Sequence, residues 1–299
     1  MIIQEKAKAK LNLALKIKGK SGAYHLLDSA AVTVNLFDRL IIKTRRDKKI
    51  ILKTRGLSLE QQCYYVPEKD NAFKAAKLFS EKKGTNGVEI TLYKNIPMSG
   101  GMGGSSADAA AVLRGMERLY KTGENLENLA NELGSDTAYL LSGGACRLEG
   151  RGEKLNPFEL KSDLYFSVCF LKSGVDTSKC FKKFDELNAE NDESAENFAA
   201  EKTNEYEDNG LIDRLIASLE KGEPDYSLFE NDLYPAAKSI LPEIENAIEF
   251  YKSLSPKACL MTGSGSTVYA VFETKELCDW ATDKVCKNGL KALTLKTED

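Results

Sequence analysis

The most informative segment of the chain reads Pro97-Met98-Ser99-Gly100-Gly101-Met102-Gly103-Gly104-Ser105-Ser106-Ala107-Asp108-Ala109-Ala110. The apolar alternation of Val88, Ile90 and Leu92 precedes it and predicts a strand. Apolar residues at helical spacing follow it, from Ala109 to Tyr120, and predict an amphipathic helix. The segment is therefore predicted to be a glycine-rich loop between a strand and a helix.

This loop has the residue types of a phosphate site. Glycine lets the backbone approach a ligand closely, and the first turn of a helix offers unpaired N–H groups at its positive end. Together these features suit the triphosphate of a nucleotide. The alternative is a tight strand-to-helix turn in which Ser105 or Ser106 caps the helix. The density of glycine and serine favours phosphate binding.

Two common nucleotide motifs are excluded in this loop. A Walker A loop needs a Lys that is absent, and the GxGxxG spacing of a dinucleotide fold does not occur. Without a loop lysine, the phosphate charge has to be balanced by backbone amides, by Mg²⁺ and by residues from elsewhere in the chain.

The composition limits the class of protein. The chain has 299 residues with a formal net charge of −3, which suggests two domains and disfavours a basic nucleic-acid binder. Its one histidine, His25, excludes sites built from several histidines. The seven cysteines form no CxxC pair, and there is no long apolar run or signal-peptide pattern. We expect a cytosolic protein with free thiols and with no nucleic-acid or membrane partner.

Periodicity predicts that the beginning of the chain is mostly sheet, that helices follow, and that the second half is mixed α+β. Strands are predicted at 11–17, 30–36, 40–42, 50–52, 88–92, 164–171, 259–261, 268–272 and 292–295, and helices at 71–83, 109–120, 126–133, 211–220, 242–253 and 275–287. A turn is predicted at Lys18 to Gly22. Residues 185–210 hold ten acids and one lysine, which predicts a solvated insertion or, alternatively, an acidic interaction surface.

Lys10 and Asp136 are candidates for chemistry. Asp136 follows Gly134-Ser135 at the start of a short helical piece, where an acid is ordinarily a cap. Lys10 precedes the alternating run and is predicted to lie at a strand end. A lysine close to this aspartate would keep it ionised and would help it to deprotonate a hydroxyl group.

Several segments in order resemble the GHMP small-molecule kinases and span most of the chain. They are Ala9-Lys10-Leu11-Asn12-Leu13, Gly19-Lys20, Tyr24-His25, Val34-Asn35-Leu36-Phe37-Asp38, the glycine-rich loop, Leu133-Gly134-Ser135-Asp136, Gly143-Gly144-Ala145, Gly150-Arg151-Gly152-Glu153 and Met261-Thr262-Gly263-Ser264-Gly265-Ser266-Thr267. The loop alone specifies only the superfamily. The first segment together with Tyr24-His25 resembles the branch whose acceptor is a cytidine diphosphate derivative of methylerythritol.

The resemblance implies roles for individual residues. Lys10 and Asp136 match the catalytic lysine and base, and Asn12 matches a contact to the methylerythritol part. Tyr24 and Phe181 resemble the two rings that stack on cytosine, and His25 resembles the residue that reads the polar edge of the base. The expected ATP-binding residues are Asn71, Lys94, Pro97, Gly100, Gly101, Met102, Gly103, Gly104, Ser105 and Ser106. No side chain is predicted to be a metal ligand.

The fold implied by this resemblance is an α+β, two-domain GHMP kinase fold. Residues 1–157 would form a ribosomal-protein-S5-like N-terminal domain, and residues 158–299 a ferredoxin-like C-terminal domain, with the active site in the cleft between them. The implied activity is ATP- and Mg²⁺-dependent phosphorylation of the 2-hydroxyl of 4-diphosphocytidyl-2-C-methyl-D-erythritol in the non-mevalonate isoprenoid pathway. A kinase for another small alcohol, of the homoserine or mevalonate type, and a non-catalytic nucleotide-binding module are the alternatives.

Overall fold

Two long strands begin the chain, as the alternation predicts. β1 spans Ile2–Ser21 and β2 spans Tyr24–Thr44 in the computed structural model, which describes residues 1–22, 24–123, 125–191 and 210–298. β1 starts earlier than predicted because the small side chains of Ala7 and Ala9 extend its buried face. The expectation that Lys10 ends a strand is therefore wrong, since it lies in the middle of β1. The turn predicted at Lys18 to Gly22 is shorter, because β1 continues to Ser21.

The other strands are short. They are β3 (Ile51–Arg55), β4 (Val88–Tyr93), β5 (Ala145–Gly150), β6 (Lys154–Pro157), β7 (Tyr165–Phe170), β8 (Ala258–Met261), β9 (Val268–Phe272) and β10 (Lys291–Lys296). β5 and β6 were not predicted from the sequence. The strands predicted at 30–36 and 40–42 are parts of the single strand β2, and the other predicted strands after β1 are present with bounds that differ by at most a few residues.

The helices of the described residues are α1 (Leu59–Tyr64), α2 (Asn71–Lys83), α3 (Gly104–Tyr120), α4 (Leu126–Leu133), α5 (Ser135–Ser142), α6 (Thr177–Asn191), α7 (Leu211–Lys221), α8 (Tyr234–Ile240), α9 (Glu243–Lys252) and α10 (Lys275–Lys287). α2, α4 and α10 have the predicted bounds at both ends. The sequence did not indicate α1, α6 or α8. None of the described helices combines the length and the apolar character needed to cross a membrane.

α2 shows why its bounds could be predicted. The carboxylate of Asp70 accepts a hydrogen bond from the Ala72 N–H at 2.8 Å and caps the first turn. Gly84 ends the helix in the left-handed conformation, which costs glycine little. The apolar stripe from Ala72 to Phe79 is buried.

The chain folds as two compact units, and β1 and β2 contribute residues to both. The first unit comprises Met1–Lys10, Val34–Met98 and Gly103–Gly143. In it, the end of β2 pairs antiparallel with β4, and β4 pairs parallel with β3. Helices α2 to α5 pack against one another in the same unit. Its core therefore combines the helical stripes with the inward faces of these strands.

The second unit comprises Leu11–Thr33, Ser99–Met102 and Gly144–Asp299. Leu27 to Val32 of β2 pair with β5, which pairs with β6. The other sheet of this unit is antiparallel, with the strand order β10-β7-β9-β8. Helices lie in sequence between β7 and β8 and between β9 and β10, which is the βαββαβ arrangement of a ferredoxin-like domain. The predicted β8–β9 hairpin is confirmed.

The prediction for residues 185–210 is partly wrong. The seven residues from Asp185 to Asn191 belong to α6, so the solvated insertion does not begin where the acids begin. The rest of that stretch, residues 192–209, lies outside the described residues. The predicted domain boundary at 157/158 stays a prediction.

Candidate active site

The start of α3 offers backbone N–H groups to an anion. Gly103 precedes the helix with φ 71° and ψ 15°, a left-handed conformation that favours glycine, and no side chain caps this end. The first N–H groups of a helix have no partner within the helix and lie at its positive end. Gly104, Ser105 and Ser106 form that first turn, so the predicted phosphate site has the expected local structure. The alternative, a turn with a serine cap, is not what the structure shows.

The preceding part of the loop is fixed by close backbone contacts. Gly101 has φ 76°, and a Cβ atom on it would lie 2.3 Å from the carbonyl oxygen of Thr262. The N–H of Thr267 donates to the carbonyl of Gly100 at 3.3 Å. Gly174 also lies against the loop, because a Cβ atom on Gly174 would be 2.5 Å from the Cβ atom of Ser99. The loop of residues 262–267, between β8 and β9, thus supports the backbone of Gly100 and Gly101.

Lys10 and Asp136 form a charged pair in the first unit. Lys10 is buried, and Asp136 lies half-buried in the first turn of α5, where the helix dipole favours a negative charge. Burial lowers the pKa of Lys10, and the charge of Asp136 opposes this lowering. A Cβ on Gly103 would lie 3.2 Å from Cγ of Lys10 and 3.1 Å from Cδ1 of Leu140. The stem of the lysine therefore lies against the residue that opens α3.

Lys94 is held between two buried carboxyl groups. Its ammonium group binds Asp38 and donates to Oδ2 of Asp108 at 2.6 Å. Burial opposes the charge of Lys94, but the two acids outweigh this effect and raise its pKa. Burial raises the pKa of Asp108 well above its usual range, and Oδ1 of this residue has no hydrogen-bond partner. The single positive charge of Lys94 balances one negative charge, so the three buried groups are neutral overall when Asp38 is ionised and Asp108 is protonated.

Asp38 also fixes the backbone that enters the loop. Its Oδ1 accepts hydrogen bonds from the N–H groups of Asn95 and of Ile96, the latter at 2.8 Å. Asp38 and Asp108 lie in segments that the sequence singles out, but neither was predicted as a site residue. A signal for Asp38 is present, because it falls on the buried side of the β2 alternation, between Leu36 and Leu40. An acid at such a position requires a buried partner.

The other expected ATP contacts surround this network. Asn71 opens α2, and its side-chain oxygen lies 3.4 Å from Nζ of Lys74. A Cβ on Gly104 would lie 2.9 Å from Cγ2 of Ile96 and 3.6 Å from Nζ of Lys94. Pro97 is half-buried. The ATP role of each residue stays a prediction.

The expected acceptor residues Tyr24, His25 and Phe181 lie in the second unit. The rings of His25 and Phe181 are stacked with centroids 4.6 Å apart. The ring of Tyr24 is 60% exposed, and the guanidinium group of Arg151 lies 5.0 Å from its centroid. Tyr24 therefore presents a flat surface on which a planar base can stack. Arg151 belongs to a segment of the resemblance but was not predicted as a site residue.

Asn12, the expected contact to the acceptor, is a buried hydrogen-bonding centre. Its backbone N–H donates to Oγ1 of Thr262 at 3.0 Å, and its side-chain amide donates to Oγ of Ser29 at 2.8 Å. The backbone carbonyl oxygen of Asn12 accepts a hydrogen bond from the hydroxyl of Tyr269 at 2.7 Å. These contacts give Asn12 a structural role, and its contact with the acceptor stays a prediction.

The sequence is similar to known kinases over most of its length. Residues 70–144 match the family "GHMP kinases N terminal domain", and residues 208–290 match "GHMP kinases C terminal". A protein of Desulfitobacterium hafniense named 4-diphosphocytidyl-2-C-methyl-D-erythritol kinase is 33% identical over 276 residues, which is 90% of this chain and 87% of that protein. A protein of the same name from Bacillus pumilus is 31% identical over 284 residues, covering 91% of this chain and 89% of the relative.

Solved structures have the same fold. A crystal structure of 4-(cytidine 5'-diphospho)-2C-methyl-D-erythritol kinase superposes with a TM-score of 0.77 at 26% identity, covering 99% of this chain and all of that one. A homoserine kinase from Cytophaga hutchinsonii gives a TM-score of 0.69 at 16% identity, covering 99% and 94%. At that identity the similarity to the homoserine kinase concerns the fold alone.

The close contact at Gly101 predicts a specific sensitivity to a methyl group. Gly101→Ala adds a Cβ where the Thr262 carbonyl leaves no space, whereas Gly84→Ala adds it at a similar positive φ with open space around it. Both variants carry the backbone strain, so we expect Gly101→Ala to lower the free energy of unfolding by about 1–3 kcal/mol more than Gly84→Ala does. Urea unfolding measures the difference, and equal losses would show that the contact can relax.

The Lys94 network predicts opposite responses to two Asp→Asn substitutions. Asp38→Asn leaves a buried ammonium group without its anion, so we expect a loss of about 3–5 kcal/mol in the free energy of unfolding at neutral pH. Asp108→Asn keeps an oxygen for Lys94 and replaces a group whose raised pKa already favours the neutral form, so we expect a loss of less than about 1 kcal/mol.

The pH dependence gives a second measurement on the same variants. Native Asp108 retains a proton that the unfolded chain releases, so this residue makes stability fall as pH rises above the usual pKa range of aspartate. Asp108→Asn should therefore reduce that fall in unfolding experiments across the acidic to neutral range. Similar losses in both variants, or an unchanged slope, would contradict this description of the network.

Proposed function

The chain belongs to the GHMP kinase family, and from this premise we propose that it transfers the γ-phosphoryl group of ATP to the 2-hydroxyl of 4-diphosphocytidyl-2-C-methyl-D-erythritol, a step of the non-mevalonate isoprenoid pathway. The observation that carries the proposal is the Lys10–Asp136 pair, with the lysine stem against Gly103 at the start of α3. The relatives that cover most of the chain at 31–33% identity bear the name of this activity.

Asp136 is the proposed catalytic base. The acceptor hydroxyl is tertiary and a poor nucleophile, so it needs a positioned group to take its proton as the phosphoryl group is transferred. Lys10 is proposed to lie beside the Asp136 carboxyl group and to polarise the hydroxyl oxygen. A positive charge on this buried side chain would act on the reacting oxygen more strongly than the same charge would in water.

Backbone groups bind the phosphates in this proposal. The N–H groups of Gly104, Ser105 and Ser106 receive the phosphate oxygens, because the start of α3 has no side-chain cap. Gly100, Gly101, Met102 and Gly103 shape the preceding turn. Lys94 is bound by two acids and therefore does not take the place of the missing loop lysine. Its proposed place, with Asn71 and Pro97, is beside the adenosine.

The residues present fit Mg²⁺ as a partner of the nucleotide. The described residues contain no group of three or more His, Cys, Asp or Glu that could hold a metal ion by themselves. Mg²⁺ ordinarily keeps several waters and takes most other ligands from substrate phosphates, with few from the protein. The hydroxyls of Ser105 and Ser106 are the protein oxygens offered beside those phosphates. When bound, the ion neutralises charge that develops on the transferred phosphoryl group.

The aromatic residues favour a nucleobase-containing acceptor over homoserine or mevalonate. Tyr24 and Phe181 offer faces to a pyrimidine, His25 offers a polar edge, and Asn12 is assigned to the methylerythritol part. A small alcohol without a base gives these rings nothing to bind. A non-catalytic nucleotide-binding module would not need the Lys10–Asp136 pair. We also propose a cytoplasmic location, because the seven cysteines are all free thiols.

A comparison of three acceptors, each supplied separately, tests this function. The purified protein is supplied with Mg²⁺ and ATP and with the cytidyl substrate, homoserine or mevalonate, and ADP release is followed. We expect release that depends on the cytidyl substrate. Release with homoserine or mevalonate alone would move the protein to another branch of the family, and no release with any acceptor would remove the proposed activity.

Replacement of the proposed base predicts a loss of turnover without a loss of nucleotide binding. Asp136→Asn keeps the size of the side chain but cannot take a proton, so we expect kcat to fall by about 10²–10⁴-fold while the Kd of ATP changes little. Asp163→Asn is the matched control, because Asp163 is exposed and forms a surface ion pair with Lys296. Asp136→Asn with near-normal turnover would show that Asp136 is not the base.

A further inference from the structure

One helix surrounds the imidazole ring of His25. Phe181 of α6 stacks on the ring with an interplanar angle of 27°, and Phe184 meets it edge-on with centroids 6.1 Å apart. Asp185 of the same helix lies 2.8 Å from Nε2 through its Oδ1. Phe181 and Asp185 are four residues apart and therefore share a helix face. α6 thus holds both a face and an edge of the ring.

The Asp185 carboxylate is an acceptor on both oxygens. Oδ1 faces Nε2 of His25, and Oδ2 lies 2.7 Å from Nζ of Lys20. Burial alone would raise the pKa of Asp185, but the hydrogen bonds from Lys20 and His25 prevail and lower it. An ionised carboxylate has no proton to give, so the proton in the short contact with His25 must come from Nε2.

A proton on Nε2 decides what the other ring nitrogen can do. In the neutral imidazole one nitrogen donates and the other accepts, so Nδ1 is then a bare acceptor. Only 11% of the His25 side chain is exposed, and a mismatched polar contact at such a site is not readily compensated by water. When His25 is held in this form, its Nδ1 can pair only with a ligand group that donates a hydrogen bond.

We propose that Asp185 is a positioning residue that fixes the Nε2–H tautomer of His25 and thereby makes the acceptor site select cytosine over uracil. This proposal rests on the proposed function, in which His25 reads the edge of the pyrimidine. Cytosine presents a 4-amino group, which donates to a bare nitrogen. Uracil presents a carbonyl oxygen at the same position, as thymine does, and two acceptors then face each other.

Lys20 does not account for the position of Asp185 by itself. The Lys20 side chain is 48% exposed and that of Asp185 is 35% exposed, and ion pairs with this exposure contribute little stability. The contact with the mostly buried imidazole is the one that orders both partners. Lys20 instead helps to keep the carboxylate ionised, which is the condition for fixing the proton on Nε2.

The tautomer can be measured directly, without any enzyme assay. His25 is the only histidine of the 299 residues, so a ¹⁵N NMR spectrum of the full chain contains one pair of imidazole nitrogens. In mildly alkaline buffer, where histidine side chains are ordinarily neutral, we expect the proton on Nε2 in the wild type. Asp185→Ala should give a mixture of both tautomers. Asp185→Asn should restore Nε2–H in part, because its amide oxygen can still accept.

Glu186→Ala is the matched control. It removes an acid from the neighbouring position of α6, where Glu186 pairs with Lys183 at 3.2 Å, and should leave the imidazole signals as in the wild type. A wild-type spectrum with the proton on Nδ1, or signals that do not change in Asp185→Ala, would overturn the proposal. Both outcomes are independent of whether the protein is a kinase.

Selectivity is measured as the ratio of kcat/KM for the cytidyl substrate to that for its uridyl analogue. We expect Asp185→Ala to lower this ratio by about tenfold to a hundredfold, the range for one buried polar group that loses its partner, while the KM of ATP stays unchanged. Asp185→Asn should recover part of the ratio. Equal losses with both substrates would show a merely structural role and overturn the proposal. No turnover of either substrate by the wild type would refute the proposed function instead, and the tautomer measurement would still stand.

Discussion

The ammonium group of Lys94 joins the strand before the glycine-rich loop to the helix after it. Asp38 on β2 and Asp108 on α3 both bind this one buried charge, and Asp38 also binds the backbone at Asn95 and Ile96. A buried charge is costly unless its partners are in place, so the three side chains constrain one another. The loop therefore enters from a fixed point and leaves into a fixed helix, which is what a backbone phosphate site requires.

The accuracy of the sequence-based predictions followed from how local the signals were. α2 has an apolar stripe, a capping aspartate and a terminal glycine within its own sequence, and its bounds were predicted correctly. β1 was predicted too short, because Ala7 and Ala9 are buried but too small to mark an alternation. α6 was missed for another reason. Three of its residues, Phe181, Phe184 and Asp185, are arranged around His25, which lies far away in the sequence.

The candidate site shows the same contrast. Residues that lie in short motifs were predicted, whereas residues whose role depends on a distant partner were not. The resemblance to a known family supplied Lys10, Asp136 and His25, because such motifs lie within short segments. It gave no role to Asp38 or Asp185, whose partners lie 56 and 160 residues away in the sequence. The acid at position 38 could have been recognised from its place on a buried strand face. Nothing near Asp185 distinguishes it from the other acids that follow it.

Not every acid of the stretch at residues 185–210 is a solvated surface charge. Its first residue, Asp185, is bound by Lys20 and His25, so one of the ten acids has specific side-chain partners. Without that stretch the remaining chain is net positive, as suits the two polyphosphates that the proposed function requires it to bind. Little of this positive charge can reach the phosphates from Lys94, which two acids already hold. In the proposed function the amides of α3 and Mg²⁺ supply the compensation, which is consistent with a loop that carries glycine and serine instead of lysine.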